Sequence, residues 1–387
     1  IVCLAAVAVA AQTAPPPAPG GQRLPGVELA QTLATATGIA ISPLFGVSAV
    51  GAWRYLQAEP VERQALPWFA SMWFWVPGLL VSFLLVSKDL LLGFLPGVKK
   101  PLDALDVLED KVSAVLAIPA VVPMFASAFA GVASAPATAG PVAQQAGAAA
   151  LSWLDDLPGA TALGIGSVVL VAAFLVVWLA SHAINVLILL SPFGPLDLLL
   201  RSVKWALLAL LGGATLIHPY LGLLVAVLIL LAAVPVAGWS FRLSVFGWVL
   251  ALDLIRGGSR GAPGRIRAFT VGRLGRAPAR SYGVVTREEG GLVFRYRPWM
   301  VMPLRRERLA EGVYRLGRGP ICPILRRQEE GRAVAVLRLP PRYARDEEEV
   351  LAALRLAGAD DLALRRGLRA CLAWLREGVA EARPPVA

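Results

Sequence analysis

His182 is the side chain with the most chemistry to offer at its position. It lies inside Leu163–Leu190, an apolar run long enough to cross a bilayer, where a group able to take up and release a proton is unexpected. One reading makes it a pathway or proton-relay group. The other makes it a neutral histidine bonded to a neighbouring helix, with Ser181 and Asn185 beside it to share hydrogen bonds. Asp103 and Asp197 occupy equivalent places in two similar segments, Pro101-Leu102-Asp103-Ala104-Leu105 and Pro195-Leu196-Asp197-Leu198-Leu199. They read either as paired gating or coordinating carboxylates or as helix N-caps. Lys88 and Asp89 close another apolar run, as an ion pair or with the lysine reaching back to the interface. These five residues form the candidate intramembrane polar site. His218, just before Pro219, reads as an interfacial turn residue.

Catalytic chemistry finds little footing. There is no GxSxG, HExxH, P-loop or GxGxxG arrangement, and both histidines fall in the apolar part of the chain. Arg315-Leu316-Gly317-Arg318-Gly319 lacks the lysine and hydroxyl of a phosphate loop and reads as a turn. Cys3, Cys322 and Cys371 are far apart, with no CxxC, so no metal site is expected. The reading is of a protein without cofactor and without an enzyme's signature.

The elements that would position these groups follow from composition. Of 387 residues, 57% are hydrophobic and 16% charged, well under the roughly 25% charged residues of soluble domains. The deficit is local. Arg256–Ala387 holds 27 Arg and 14 acidic residues, a net charge of +13, whereas the preceding part is near neutral at −2. An apolar part is therefore followed by a polar, basic one.

A spanning helix needs about 20 mostly apolar residues. Leu33–Trp53 qualifies, interrupted by Gly38 and Pro43; so do Trp68–Leu95, with tryptophans at one end, Val112–Val132 and Leu163–Leu190. The stretch from Leu196 to Ile255 is too long for one crossing. It divides into Leu196–Ile217, Tyr220–Gly238, and Phe241–Ile255 as an interfacial helix or a further crossing. Ala133–Ala150, rich in Ala and Gly, reads as a loop or re-entrant piece, or as a weak crossing. Upstream, Ile1–Ala11 reads as the end of a signal-peptide hydrophobic region or a retained anchor, and residues 12–32 as a Pro-rich linker. A faint repeat relates Ser87 to Ser181 and the two Pro-Leu-Asp segments, each pair 94 residues apart. Repeats with broken helices occur in transporters.

Gly38–Gly46, the helix running into Ser87-Lys88-Asp89, the segment Pro101–Lys111, His182, and Ser191-Pro192 before a Leu-rich helix occur in that order. In this the chain resembles a bacterial multi-pass membrane family, domain of unknown function 4126, over about Thr32 to Leu231. The chain departs from that family's pattern in having Pro96 well after Ser87-Lys88-Asp89, and Arg201 and Lys204 near Asp197 where the family tends to have an acidic pair. The resemblance implies a bacterial membrane protein and lends no activity.

Beyond the membrane part, residues 256–267 form a basic juxtamembrane linker, and 256–286 carries seven Arg and no acid. That favours a cytoplasmic C-terminal domain at a bacterial inner membrane. Strands are expected at Ala268–Leu274, Ser281–Thr286, Gly291–Arg297, Trp299–Leu304, Gly312–Leu316, Ile321–Arg326 and Arg332–Leu339, with helices from Asp346 and from Asp361 to about Gly378. The apolar stripe of Leu362, Leu368, Cys371 and Leu375 would close them into a small β-rich domain, by topology similar to a PH-like barrel.

The expected fold is thus a membrane all-α bundle of five to seven transmembrane helices followed by a small soluble β-rich α+β domain over 268–387. Two functions fit. One is a transport or channel-like module with a cytoplasmic regulatory domain. The other is a membrane-anchored scaffold or regulator whose basic domain binds a protein or anionic lipid, with Arg265, Arg267, Arg273, Arg276 and Arg280 near the headgroups at about 1 kcal/mol each. A basic segment directly after a membrane helix is more simply a topology and lipid signal than a nucleic-acid site.

Overall fold

The computed structural model describes residues 25–92, 96–133, 159–190, 194–256, 265–319, 322–329 and 332–361. The chain divides into two compact units, Ile1–Ser244 and Val245–Ala387.

In the first unit, prolines set several helix boundaries. Helix α1 (Pro25–Ile41) stops at Ser42, whose φ of −144° and ψ of 88° are not helical, because the residue before a proline is driven out of the helical region. Pro43 then opens α2 (Pro43–Gln57) at a position where its missing N–H costs nothing. Single 3-10 turns at Glu62–Ala65 and Trp68–Ala70 lead into α3 (Met72–Leu92). Helix α4 (Pro96–Ala133) is 38 residues long, about 57 Å. Helices α5 (Gly159–Leu190) and α6 (Gly194–Ile217) follow, and the chain breaks at His218 before Pro219 opens α7 (Pro219–Arg256).

Among the described residues, four helices are long and apolar enough to cross a membrane: Leu102–Phe129, Leu163–Leu190, Leu196–Ile217 and Pro219–Asp253, with the shorter apolar helix Met72–Leu85 beside them. Large apolar side chains face outward. On α7, Leu221, Leu224, Leu228 and Leu231 are exposed at three- and four-residue spacing, which is one stripe of the helix. Ionisable and polar side chains are buried inside: Asp103, Asp106 and Asp110 of α4, Ser181 and His182 of α5, and Asp197 of α6. Apolar outside and polar inside is the arrangement a lipid environment selects, and the chain is a membrane protein.

The helices depart from the expected spans at three places. Phe241–Ile255 is not a separate piece but the continuation of α7, because Gly238 alone costs only about 1 kcal/mol and an apolar helix tolerates it. The third helix does not begin at Val112: α4 starts at Pro96 and takes in Pro101–Lys111. Residues 25–32 are not linker but the first turns of α1, with Pro25 at its start. Ile1–Ala11, the rest of the linker and most of Ala133–Ala150 lie outside the described residues.

The second unit is an eight-stranded sheet in the order β4-β3-β2-β1-β7-β6-β5-β8. Its strands are β1 (Ile266–Thr270), β2 (Tyr282–Glu288), β3 (Gly291–Tyr296), β4 (Arg305–Arg308), β5 (Val313–Arg318), β6 (Ile324–Glu329), β7 (Arg332–Arg338) and β8 (Ala359–Asp361). Two antiparallel meanders, β1 to β4 and β5 to β7, join where Phe269 and Thr270 pair with Arg338 and Leu337. Helix α8 (Glu347–Leu354) buries Val350 and Leu354 against the core of Ile266, Phe294, Leu316, Leu325 and Leu337. Its three first-turn glutamates suit the positive end of the helix dipole.

Ala359–Asp361 pairs parallel with Leu316–Arg318 as β8, ahead of the expected helix. Trp299–Leu304 was expected to be a strand. It is a loop, because Trp299 and Met300 take positive φ (52° and 61°), which ends the ladder, and β4 begins only at Arg305. The sheet's order ends on β4 and β8, so among the described pairings it does not close into a barrel. The segment from Leu362 through Gly378 lies outside the described residues.

Candidate functional site

Three helices of the first unit bring polar rows together. On α4, Asp103, Asp106 and Asp110 stand at i, i+3 and i+7, one face of the helix. On α5, Trp178, His182 and Asn185 stand at i, i+4 and i+7, and on α6 so do Asp197, Arg201 and Lys204. Where the rows meet they bond. His182 Nδ1 lies 2.5 Å from Asp110 Oδ2, a hydrogen bond between the two buried side chains. Lys204 Nζ donates to Asn185 Oδ1 at 3.3 Å and lies 3.8 Å from Asp110 Oδ1. Arg201 donates to Asp106 Oδ2 at 3.1 Å and to the Leu85 carbonyl of α3 at 3.0 Å.

Other groups hold these in place. Trp178 stacks on the His182 ring with centroids 5.0 Å apart, and its indole N–H donates to the Asp110 carbonyl at 3.3 Å. Ser181 Oγ donates to the Ile41 carbonyl at 2.6 Å. That carbonyl sits at the α1–α2 break, where the interrupted helix leaves acceptors to be satisfied. His182 Nε2 and Glu109 Oε1 are buried atoms without a hydrogen-bond partner among the described residues.

Beside this cluster is a cavity of about 70 Å³, enough for several waters. Asp106, Glu109 and Asp110 line it from α4, Arg201 and Lys204 from α6, and Ser42 through Phe45 from the break and first turn of α2. Three carboxyls thus face two cations, next to the helix end whose free N–H groups carry a partial positive charge. Such an arrangement sets ionisable side chains of both signs against a space that can hold water. No group of His, Cys, Asp and Glu among the described residues has a metal-holding arrangement.

The expected site is gathered only in part. His182 is fully buried and belongs to the cluster. Asp103 and Asp197 are buried on the same rows, but neither lines the cavity, and neither is an N-cap: Asp103 lies well inside α4, and Asp197 is within the first turn of α6. Lys88 and Asp89 fall near the end of α3, and their side chains lie outside the described residues. The sequence reading missed Asp106, Glu109, Asp110, Arg201 and Lys204 as a site. The i, i+3, i+7 spacing of the acids was the available signal.

The five arginines proposed for lipid do not form one patch. Arg265 and Arg267 are at the start of β1, whereas Arg273, Arg276 and Arg280 are in the β1–β2 connection, beyond the other end of that strand. No family model, characterised protein or solved structure matches the chain.

Proposed function

We propose that this protein is a transport or channel-like module of a bacterial cytoplasmic membrane, with the sheet domain on the cytoplasmic side as its regulatory part. The observation that carries the reading is the cavity of about 70 Å³ within an apolar-faced bundle, lined by Asp106, Glu109, Asp110, Arg201 and Lys204. Ionisable groups at membrane depth are costly and are kept where ions or protons move. The excess of one carboxyl over the cations favours a proton or small cation as the species carried. The broken pair α1–α2 at the cavity supports the same reading. The four long apolar helices support a reading of five to seven crossings when the shorter apolar helix α3 and the α1–α2 pair are counted with them. The cytoplasmic assignment rests on the seven arginines of 256–286, and a phosphatase fusion at Ala387 that is active outside the cell would reverse it.

Proteoliposomes holding the full chain and, in separate preparations, a pH-, a sodium- or a potassium-sensitive dye test this. Imposed proton, sodium and potassium gradients should collapse faster than in empty vesicles, and Glu109→Gln and Asp110→Asn should slow the collapse. Vesicles that hold all three gradients as well as protein-free ones would overturn the transport reading. The scaffold or regulator reading, which the exposed arginines of the sheet domain favour, would then take its place.

A further inference from the structure

The β3–β4 connection runs from Arg297 to Leu304, longer than the roughly 2–5 residues a hairpin needs. It carries Trp299, Met300, Val301, Met302 and Leu304, all exposed, Val301 to 83%. A soluble domain ordinarily turns such side chains inward. Here the backbone at both Trp299 and Met300 is left-handed, a strained conformation for residues other than glycine, and strain of this kind gathers at functional segments. Arginines bracket the apolar run: Arg297 before it, Arg305 and Arg306 after it, all exposed.

The strand register places this loop. Tyr296 pairs with Gly283, Phe269 with Tyr282 and Arg338, and Arg338 with Ile324. The ends of β3, β1 and β7 therefore lie at one end of the sheet. The β1–β2 connection leaves from that end, with Arg273 and Arg276 exposed and the Arg276 N–H donating to Glu307 of β4 at 3.2 Å. The last turns of α7 dock there too: Phe246 packs edge-on against Phe269 at 4.8 Å, and Asp253 accepts from Arg342, four residues past Arg338. One end of the sheet thus combines an exposed apolar tip, a collar of arginines, and the final turns of an apolar helix.

The geometry points to the Pro298–Leu304 loop as a membrane-inserting wedge, its Trp, Met, Val and Leu side chains entering the interface of a bilayer and Arg297, Arg305, Arg306, Arg273 and Arg276 holding anionic headgroups around it. Tryptophan suits that depth because its ring is apolar with a polar N–H edge. Arginines that would repel one another on a free surface are neutralised by phosphates. The wedge gives a specific site to the lipid-contact form of the second reading and does not depend on the bundle cavity.

The test uses the full chain with Cys3 and Cys371 changed to Ser and the buried Cys322 kept. An environment-sensitive fluorophore is placed by Val301→Cys, or by Glu289→Cys in the turn at the opposite end of the sheet. The protein is reconstituted in phosphatidylcholine vesicles with and without phosphatidylglycerol. The label at 301 should be quenched by nitroxide lipids and protected from aqueous iodide, more so with phosphatidylglycerol, while the label at 289 stays open to iodide. Each of Arg305→Ala and Arg306→Ala should weaken the insertion by roughly fivefold. Iodide quenching at 301 equal to that at 289 in both lipid compositions overturns the wedge. Protection at 301 from both quenchers also overturns it, in favour of a protein surface. A label at Arg265→Cys that meets lipid while 301 does not would leave the second reading standing without the wedge.

Discussion

Asp253, near the end of α7, receives both arms of the Arg342 guanidinium, with Nε to Oδ2 at 2.9 Å and Nη2 to Oδ1 at 2.5 Å, and the Arg342 backbone N–H adds a third bond at 3.3 Å. The carboxylate is nearly buried, so it depends on this fork for its counter-charge. The hydrogen bond also holds the Arg342 guanidinium above its ordinary pKa.

Arg342→Ala should therefore destabilise the second unit by on the order of 3 kcal/mol, because it strands a buried charge. Arg342→Met combined with Asp253→Leu should recover most of that loss. Chemical unfolding of the full chain in detergent, followed by the near-ultraviolet signal of the sheet domain's aromatics, reads both. Equal losses in the single and double variants would show that the fork is not what holds these residues together.

Asp110 is hydrogen-bonded to His182 and lies close to Lys204, so it is the common partner of two helices. Asp110→Leu removes both interactions and should cost on the order of 3 kcal/mol in bundle stability. Asp110→Asn keeps a hydrogen-bonding group for His182 and should cost clearly less. Thermal unfolding in a fixed detergent ranks the two, and an Asn variant as unstable as the Leu variant would refute the assigned bond.

Two glycines should respond in opposite directions. A methyl at Gly51 of α2 would run into the Phe69 carbonyl, so Gly51→Ala should destabilise by about 1–3 kcal/mol. Nothing lies within 4 Å of a methyl at Gly213, in the interior of α6, so Gly213→Ala should be neutral or stabilising by up to about 1 kcal/mol. The same unfolding assay compares them, and a shared sign would contradict the packing at Gly51.

Burial pushes the Cys322 thiol up to about 12. Because the thiolate is the nucleophile, Cys322 should resist maleimide at neutral pH in the folded protein and react readily once denatured. The linked stability is fully present below the ordinary thiol value of 9.0 and is lost as pH rises from there through about 12. Labelling in the presence and absence of denaturant, with mass spectrometry to locate the adduct, decides; rapid native labelling at Cys322 would show the site is open.

Much of this architecture was legible in residue order. Apolar length and the breaks at Pro43 and Pro219 announce the helices, since a bilayer demands about 20 apolar residues and a proline cannot continue a hydrogen-bonded ladder. Alternation in Tyr282–Glu288, Gly291–Tyr296 and Arg332–Arg338 announces strands, because successive side chains there face opposite sides of the sheet. His182 stood out because an ionisable group in an apolar run is costly by itself.

The partners of His182 were decided in three dimensions. Asp110 lies 72 positions away and reaches it only because α4 extends back beyond Val112 and packs on α5. Arg201 and Asp106 meet across 95 positions, and Ser181 and Ile41 across 140. Local spacing puts Asp106 and Asp110 on one face of their helix, but which helix that face meets depends on packing among all of them. Likewise the β3–β4 loop reads as one more strand by composition, and only the turned-out backbone at Trp299 and Met300 leaves its apolar side chains exposed among arginines. Patterns of one or two turns are local and can be read from the chain; the meeting of distant rows is a property of tertiary packing alone.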